Sequence, residues 1–217
     1  MSTITTTLPG INTTLFCASQ GIATGGFAIF NGTSAGNGAV YLDGQYFRSL
    51  SFTSTDDLSG VTIVINGNSN GALVTETITG PNNNTVYSTK CYQSVFQIQV
   101  TVGTATNLSV GSGNQAVIPY TFGTRVATAF SCVQDSFGAY ISNADAVNID
   151  ISGTYRNQYP IEILAELAST QSGVFTIHSS ITTGYQLTSA ETRGLNTIFF
   201  VITSTGATPI ILDIFTA

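Results

Sequence analysis

Short runs in which apolar and polar residues alternate constrain the fold of this chain more than any other feature. In residues 96–102, Phe96, Ile98, Val100 and Val102 alternate with two glutamines and a threonine. Successive side chains of a β-strand point to opposite faces, so this pattern predicts a strand with one apolar and one polar face. Residues 61–65 and 147–151 follow the same pattern. The alternation therefore predicts an all-β fold.

Two runs near the C-terminus are apolar on both parities. Residues 198–202 contain only isoleucine, phenylalanine and valine, and residues 210–215 are apolar except for Asp213. Both runs are rich in the β-branched and aromatic residues that suit a pleated sheet. They predict two strands buried on both faces, which residues 204–209 would join as a C-terminal hairpin.

Turn residues separate the predicted strands. The Asn/Gly-rich residues 66–71 lie between two strand patterns, 61–65 and 73–78, as the connection of a hairpin does. One segment is ambiguous: residues 160–168 combine strand alternation with good helix formers, and we favour a strand there. The predicted fold is all-β with little helix.

The two halves of the sequence end in a similar order of predicted strands and turns. We predict two antiparallel β-sandwich domains, immunoglobulin-like or jelly-roll-like, with a linker at residues 111–115. Residues 1–112 would hold an N-terminal arm and the first sandwich, and residues 113–217 the second. Residues 1–40 could be an extended arm or the first strands of the first domain, and both alternatives stay open.

Charge is scarce. Only 7% of the residues are charged, against about 25% in an ordinary soluble domain. With 5 Lys and Arg, 11 Asp and Glu and a net charge of -6, the chain lacks the basic surface that nucleic-acid binding needs. A single histidine makes most acid–base enzymes improbable, so we predict a protein that is not an enzyme.

Three sequence patterns are candidates for a catalytic or metal-binding site. Asn66, Asn68, Asn70 and Gly71 occupy positions of a calcium-loop template, but a real loop needs carboxylates there and a glutamate where Thr77 lies. His178, the only histidine, has no nucleophile motif beside it. We predict a hairpin turn for the first pattern and a polar-face side chain for the second.

Paired carboxylates form the third pattern. Asp56 and Asp57 share a predicted turn, and Glu162 and Glu166 lie in the ambiguous segment. Glycoside hydrolysis uses such pairs, but the chain has no Trp to form a sugar platform. We interpret these residues as solvated carboxylates and predict no catalytic, cofactor-binding or metal-binding residues and no cofactor.

The cysteines and the termini indicate where the chain is made. Cys17, Cys91 and Cys132 are odd in number and lack metal-site spacing, so we interpret them as small buried thiols and predict no disulfide. The N-terminus lacks the positive and apolar regions of a secretion signal. No run approaches the roughly 18 apolar residues of a membrane helix. We therefore predict synthesis in a reducing cytoplasm and no membrane partner.

A family resemblance enters through four segments. Residues 57–67 read DLSGVTIVING, residues 74–81 read VTETITGP, residues 85–92 form an aromatic-bearing strand, and residues 108–111 read LSVG. This order resembles a pattern of small structural proteins of tailed bacteriophages. The chain departs from it at the all-Asn turn and at Cys91, and the resemblance is loose over residues 120–190.

The resemblance implies a virion component without catalytic activity. We expect a capsid decoration or cement protein, a homo-oligomer that binds the major capsid protein or other virion proteins. A tail fibre, adaptor or baseplate accessory protein is the alternative. A surface adhesin or carbohydrate-binding module is the second alternative, with Tyr41, Tyr46, Tyr155 and Tyr159 as its only candidate platform. A surface with few charges suits permanent protein contact, since burying charge at an interface is costly.

Overall fold

The computed structural model describes residues 2–36, 39–41, 46–69, 71–121, 137–142, 148–154, 174–181, 186–187, 197–204 and 210–216. Within these ranges the chain forms β-strands and no helix, and all strand pairs are antiparallel. The all-β prediction is confirmed. Residues 160–168, Cys132, Tyr155, Tyr159, Glu162 and Glu166 lie outside the described residues.

The strands carry one numbering in chain order. They are β1 (Ser2–Leu8), β2 (Cys17–Ile22), β3 (Ala35–Gly36), β4 (Ala39–Tyr41), β5 (Phe47–Thr53), β6 (Thr62–Ser69), β7 (Ala72–Thr79), β8 (Thr85–Tyr87), β9 (Ser94–Val102), β10 (Ala105–Thr121), β11 (Phe137–Ser142), β12 (Asn148–Thr154), β13 (Val174–Ile181), β14 (Gln186–Leu187), β15 (Thr197–Ser204) and β16 (Ile210–Thr216).

A five-stranded sheet has the order β3-β4-β9-β6-β7. Its β6–β7 hairpin is paired from Thr62 opposite Thr79 to Ser69 opposite Ala72, which leaves two residues for the turn. Gly71 has φ +82°, a value that glycine adopts at no steric cost. The hairpin predicted at residues 66–71 is confirmed, with a shorter turn because the asparagines continue the strand.

Two register shifts alter the faces of β9. Opposite β6, one shift lies between Asn66 and Gly67 and the other between Thr62 and Ile63. Each shift inserts an extra residue into β9, and a bulge reverses the parity of the side chains beyond it. Ile98 and Val100 are buried as predicted, but Phe96 and Val102 are exposed. The prediction of one uninterrupted apolar face is therefore wrong at both ends of β9.

The seven-stranded sheet is built around the long strand β10. Its order is β13-β12-β15-β10-β5-β8, and β2 pairs with β10 in addition. The pairing of β10 with β5 shifts between Ser112 and Ala116, so residues 111–115 form an irregular part of a strand rather than a linker. The boundary predicted after residue 112 lies inside β10, and the division into two domains stays a prediction.

The third sheet joins the two ends of the chain, in the order β1-β16-β11-β14. Ser2 lies opposite Thr216 and Leu8 opposite Ile210. Residues 2–8 are thus a strand of this sheet, and residues 17–22 are a strand beside β10. Both segments are paired strands, but β1 pairs with β16 in the part of the chain predicted as the second domain, so the place of residues 1–40 in the first domain stays a prediction.

The predicted C-terminal hairpin is wrong. Strand β15 pairs with β10 on one edge and β12 on the other, whereas β16 pairs with β1 and β11. Neither strand has a free edge for the other, so the chain changes sheets between them. Burial of residues 198–202 on both faces is confirmed, but Ile211 is partly exposed while Ile210 and Leu212 are buried.

One apolar core contains side chains from all three sheets. Leu50 of β5, Ile63 of β6 and Leu212 of β16 belong to the same buried cluster. A smaller cluster on the other side of the seven-stranded sheet contains Phe47, Cys91 and Phe199. The five-stranded sheet therefore buries one face in the common core and presents its other face outward.

Candidate interaction face

The outward side of strands β6, β7 and β9 is a flat surface made of neutral residues. Alternation along β6 buries Ile63, Ile65 and Gly67 and leaves the residues between them outward. We define the outer face by its twelve members: Thr62, Val64, Asn66, Asn68, Leu73, Thr75, Thr77, Thr79, Phe96, Gln97, Gln99 and Thr101. None of these residues carries a charge.

A further segment widens the outer face beside β9. Phe27 lies opposite Gln99, and the amide of Ala28 donates to the carbonyl of Ile98 at 2.9 Å. Ala28 and Phe30 pack against the core, whereas Phe27 and Ile29 between them are 53% and 68% exposed. The alternation places both exposed side chains on the outward side.

Most of the large exposed apolar side chains that the structure describes lie on this side. Leu73 is 69% exposed, Phe96 46% and Val102, opposite Thr62, 54%. With Phe27 and Ile29 they make five of the seven large hydrophobic residues exposed in the described part of the chain, the others being Tyr87 and Ile211. Clustered exposed apolar residues mark interaction surfaces, whereas scattered ones are ordinary.

Hydrogen bonds across three strands hold the middle of the outer face. Thr75 donates its hydroxyl to Oδ1 of Asn66 at 2.7 Å, and Nδ2 of Asn66 donates to Oε1 of Gln97 at 2.8 Å. Nε2 of Gln99 donates to the carbonyl of Gly25 at 3.2 Å, which ties the flanking segment to β9. These bonds fix side-chain rotamers before any partner binds.

Behind the outer face, β7 directs one carboxylate inward. Oε1 of Glu76 accepts from the amide and the hydroxyl of Thr89, at 2.7 and 3.0 Å. Oε2 accepts from the amide of Lys90 at 3.2 Å and the hydroxyl of Tyr92 at 3.0 Å. Both oxygens are thus saturated by donors, which is how a buried carboxylate is accommodated. Glu76 anchors residues 88–92 to β7.

Tyr92 fills the space under the hairpin. Its side chain is fully buried, and a Cβ at residue 67 would lie 2.5 Å from its ring carbon Cδ1, so only glycine fits there. Burial, and then the Glu76 carboxylate, raise the pKa of the Tyr92 phenol well above its usual range. The phenol therefore remains a hydrogen-bond donor to Glu76.

Arg48 lies in a buried position on β5. Its Nε donates to the carbonyl of Gly113 at 2.9 Å, and its Nη1 donates to the carbonyl of Pro9. Its backbone exchanges two hydrogen bonds with Tyr92, at 2.9 and 2.8 Å. Burial lowers the pKa of the guanidinium to about 10, so it stays protonated at neutral pH. Arg48 thereby links the irregular part of β10 to the end of β1.

The charged side chains that the structure describes are Arg48, Asp56, Asp57, Glu76, Lys90 and Asp213. Of these six residues, Arg48 and Glu76 are buried among hydrogen-bond partners. An ordinary surface carries about 25–35% charged residues. The described surface therefore has few charges even for a chain of this composition, because part of its charge lies in the interior.

Residues singled out from the sequence lie apart from one another. Asn66 and Asn68 are strand residues, and Tyr46 is buried and so belongs to no exposed platform. Among the described residues, no His, Cys, Asp or Glu side chains group in a way that could hold a metal ion. His178 lies on β13 opposite Ile151.

The two aspartates accept hydrogen bonds, Asp56 from two residues at the start of β10 and Asp57 from a residue of its own turn. Oδ2 of Asp56 accepts from Thr106 at 2.6 Å and from Asn107 at 2.8 Å. Oδ1 of Asp57 accepts from the amide of Ser59 at 2.9 Å, and bonds from Ser59 lower the pKa of this exposed carboxyl. Their hydrogen bonds stabilise the loops that carry them.

The interpretation of Cys17 and Cys91 as small buried thiols is confirmed. Burial raises the pKa of Cys17 to about 12 and that of Cys91 above its usual range, and only the thiolate reacts. We expect iodoacetamide at about pH 8 to leave both cysteines unmodified in the folded protein and to modify both in denaturant. Peptide mass spectrometry reads this out, and fast modification in the native state would contradict the burial.

Sequence reasoning missed Glu76, Arg48 and the outer face. One signal for Glu76 was present, since Val74, Glu76 and Ile78 share a parity and two of them are apolar. No comparable signal marks Arg48, which looks like a single cation on a strand.

Comparisons with family models, with curated proteins and with solved structures return no match. In the described part of the chain, no helix has the length and apolar character needed to cross a membrane. The functional interpretation therefore depends on the arrangement of charge and surface described above.

Proposed function

We propose that the chain is a non-enzymatic structural protein of a tailed-phage particle, a capsid decoration protein that stabilises contacts between capsid subunits. Its partners would be the major capsid protein and further copies of itself. The virion assignment comes from the sequence resemblance, which residues 40–112 carry. The structural assignment comes from the surface.

The observation that supports a structural role is the distribution of charge. Arg48 and Glu76 are used inside the protein, and the outer face presents only hydroxyls, amides and apolar groups. A permanent interface desolvates its surface, and desolvating an unpaired charge costs far more than desolvating an amide that finds a hydrogen-bond partner. A neutral, rigid sheet face meets that requirement.

Copy number separates the capsid from the tail. A decoration protein is present in hundreds of copies per particle, whereas a fibre, adaptor or baseplate protein is present in a dozen or fewer. Quantitative mass spectrometry of purified particles, referenced to the major capsid protein, measures this ratio. Absence of the chain from particles would overturn both virion assignments.

The second alternative, an adhesin or carbohydrate-binding module, has less support. Tyr46 is buried and cannot stack on a sugar, and the side chains of Tyr155 and Tyr159 lie outside the described residues. Glycan-array binding with the isolated chain would favour this alternative over the proposal.

Attachment to particles is expected to persist at high salt. The Debye length falls from about 10 Å at ~0.1 M to about 3 Å at ~1 M salt, which weakens exposed ion pairs. Few exposed charges are available to hold this chain, and each exposed pair contributes only about 0–1 kcal/mol. Particles sedimented at both salt concentrations should retain the same amount of the protein. Release over that range would show that charge holds it.

We retain two antiparallel β-sandwich domains as part of the proposal. A division near residue 112 requires the two parts to share β10, which pairs with β5 between residues 109 and 117 and with β15 from residue 116 to residue 121. Limited proteolysis tests it: cleavage near residues 111–115 into two stable fragments supports the division, and resistance there argues for one cooperative unit.

A further inference from the structure

We infer that the outer face is the surface through which two copies of this chain associate, each copy presenting the same face to the other. The inference concerns the isolated protein and does not rest on the virion assignment.

Self-complementarity of the polar groups is the first argument. In a twofold contact the same patch meets itself, so a charge on one copy brings an equal charge from the other copy into the same interface. The outer face carries none, although the chain as a whole has a net charge of -6 and its copies repel at a distance. Hydroxyls and amides each donate and accept hydrogen bonds, so a face made of them can pair with an identical face.

Size is the second argument. Strands β6, β7 and β9 have 8, 8 and 9 residues. At about 3.3 Å per residue and about 4.8 Å between neighbouring strands, the three strands cover roughly 27 by 14 Å, and the short flanking segment adds about 80 Å². Two such faces bury about 900 Å² before side-chain relief is counted, which is close to the lower bound of about 1,000 Å² for a specific interface.

Preorganisation is the third argument. The network from Thr75 through Asn66 to Gln97 already orders the polar middle of the face. Ordering side chains on binding costs roughly 0.5–1.5 kcal/mol for each flexible side chain, so a face ordered in advance loses less. Phe96 and Phe27 supply the exposed aromatic groups that interfaces are enriched in.

Val64 is the position for the test. It lies on the middle strand, opposite Thr77 on one side and Gln99 on the other. A lysine there introduces two unpaired charges into the contact, one from each copy. We expect Val64→Lys to weaken association of the full chain at least about tenfold by analytical ultracentrifugation. The variant Thr77→Lys, on the neighbouring strand, should weaken it in the same direction.

Two control variants show whether a loss of association comes from the added charge and from its position on the outer face. Val64→Thr keeps the face neutral and should associate like the unmodified chain. Thr55→Lys adds the same charge at an exposed residue outside the outer face and should also leave association unchanged. Thermal melting confirms that each variant is folded.

The decisive experiment mixes two variants that carry opposite charges at residue 64. Val64→Lys and Val64→Glu should each associate weakly alone, and an equimolar mixture should associate more tightly than either, because the contact then holds one charge of each sign instead of two like charges. A chain that is monomeric at about 100 µM overturns the inference. So does an oligomer that Val64→Lys leaves intact. A monomer whose Val64→Lys variant alone loses particle attachment would assign the face to a different protein and overturn self-association while keeping the virion role.

Discussion

Replacing Glu76 by alanine is expected to destabilise the protein by about 3–5 kcal/mol, because hydrogen bonds to a charged group are worth about 1.5–3 kcal/mol each. The substitution leaves the amides of Thr89 and Lys90 and the hydroxyl of Tyr92 without their acceptor. Tyr92 is fully buried and cannot turn to water. Denaturant unfolding followed by circular dichroism measures the change.

Two further variants show whether the carboxylate itself is responsible. Glu76→Gln keeps the shape but offers one acceptor oxygen, so we expect a smaller loss of about 1–2 kcal/mol. Asp57→Ala removes an exposed carboxylate and should change stability by less than about 1 kcal/mol. A Glu76→Ala variant as stable as Asp57→Ala would mean that Glu76 lies in solvent and that β7 has the opposite register.

The alternation of side chains between the two faces of a strand explains which features could be predicted from the sequence. Residues 198–202 are apolar on both parities, and both parities are buried in β15. The turn at Gly71 follows from the Asn/Gly composition of residues 66–71. Each of these is a local property, because strand alternation and turn geometry depend on neighbouring residues alone.

The pairing of strands that lie far apart in the chain was not predictable, because it depends on residues that are not neighbours in sequence. The prediction of a C-terminal hairpin was wrong because β16 pairs with β1. That strand begins more than 200 residues earlier in the chain, with Ser2 opposite Thr216. The prediction that Phe96 lies on the apolar face was wrong, because the position of a bulge depends on the register of the opposite strand. The outer face is likewise visible only once β6, β7 and β9 are neighbours.

The strongest test of the junction between the sheets is Arg48→Ala, which we expect to cost about 3–5 kcal/mol, because hydrogen bonds to a charged group are worth about 1.5–3 kcal/mol each and the guanidinium donates to two carbonyls. The guanidinium supplies donors to the carbonyls of Gly113 and Pro9. At about 2–4 °C per kcal/mol for a chain of this size, the melting temperature should fall by roughly 6–20 °C.

The geometry of the guanidinium, rather than its charge, accounts for this expectation. Lysine keeps the charge but is a single point donor, whereas arginine reaches two carbonyls in a fixed fork, so Arg48→Lys should recover only part of the loss. Lys90→Ala removes a cation whose Nζ bonds the carbonyl of Thr75 at the surface and should change stability by less than about 1 kcal/mol. If Arg48→Lys melted like the unmodified protein, charge alone would suffice and the fork between β1 and β10 would be dispensable. If Arg48→Ala also did so, Arg48 would not be the link through which the irregular part of β10 is joined to the rest of the core.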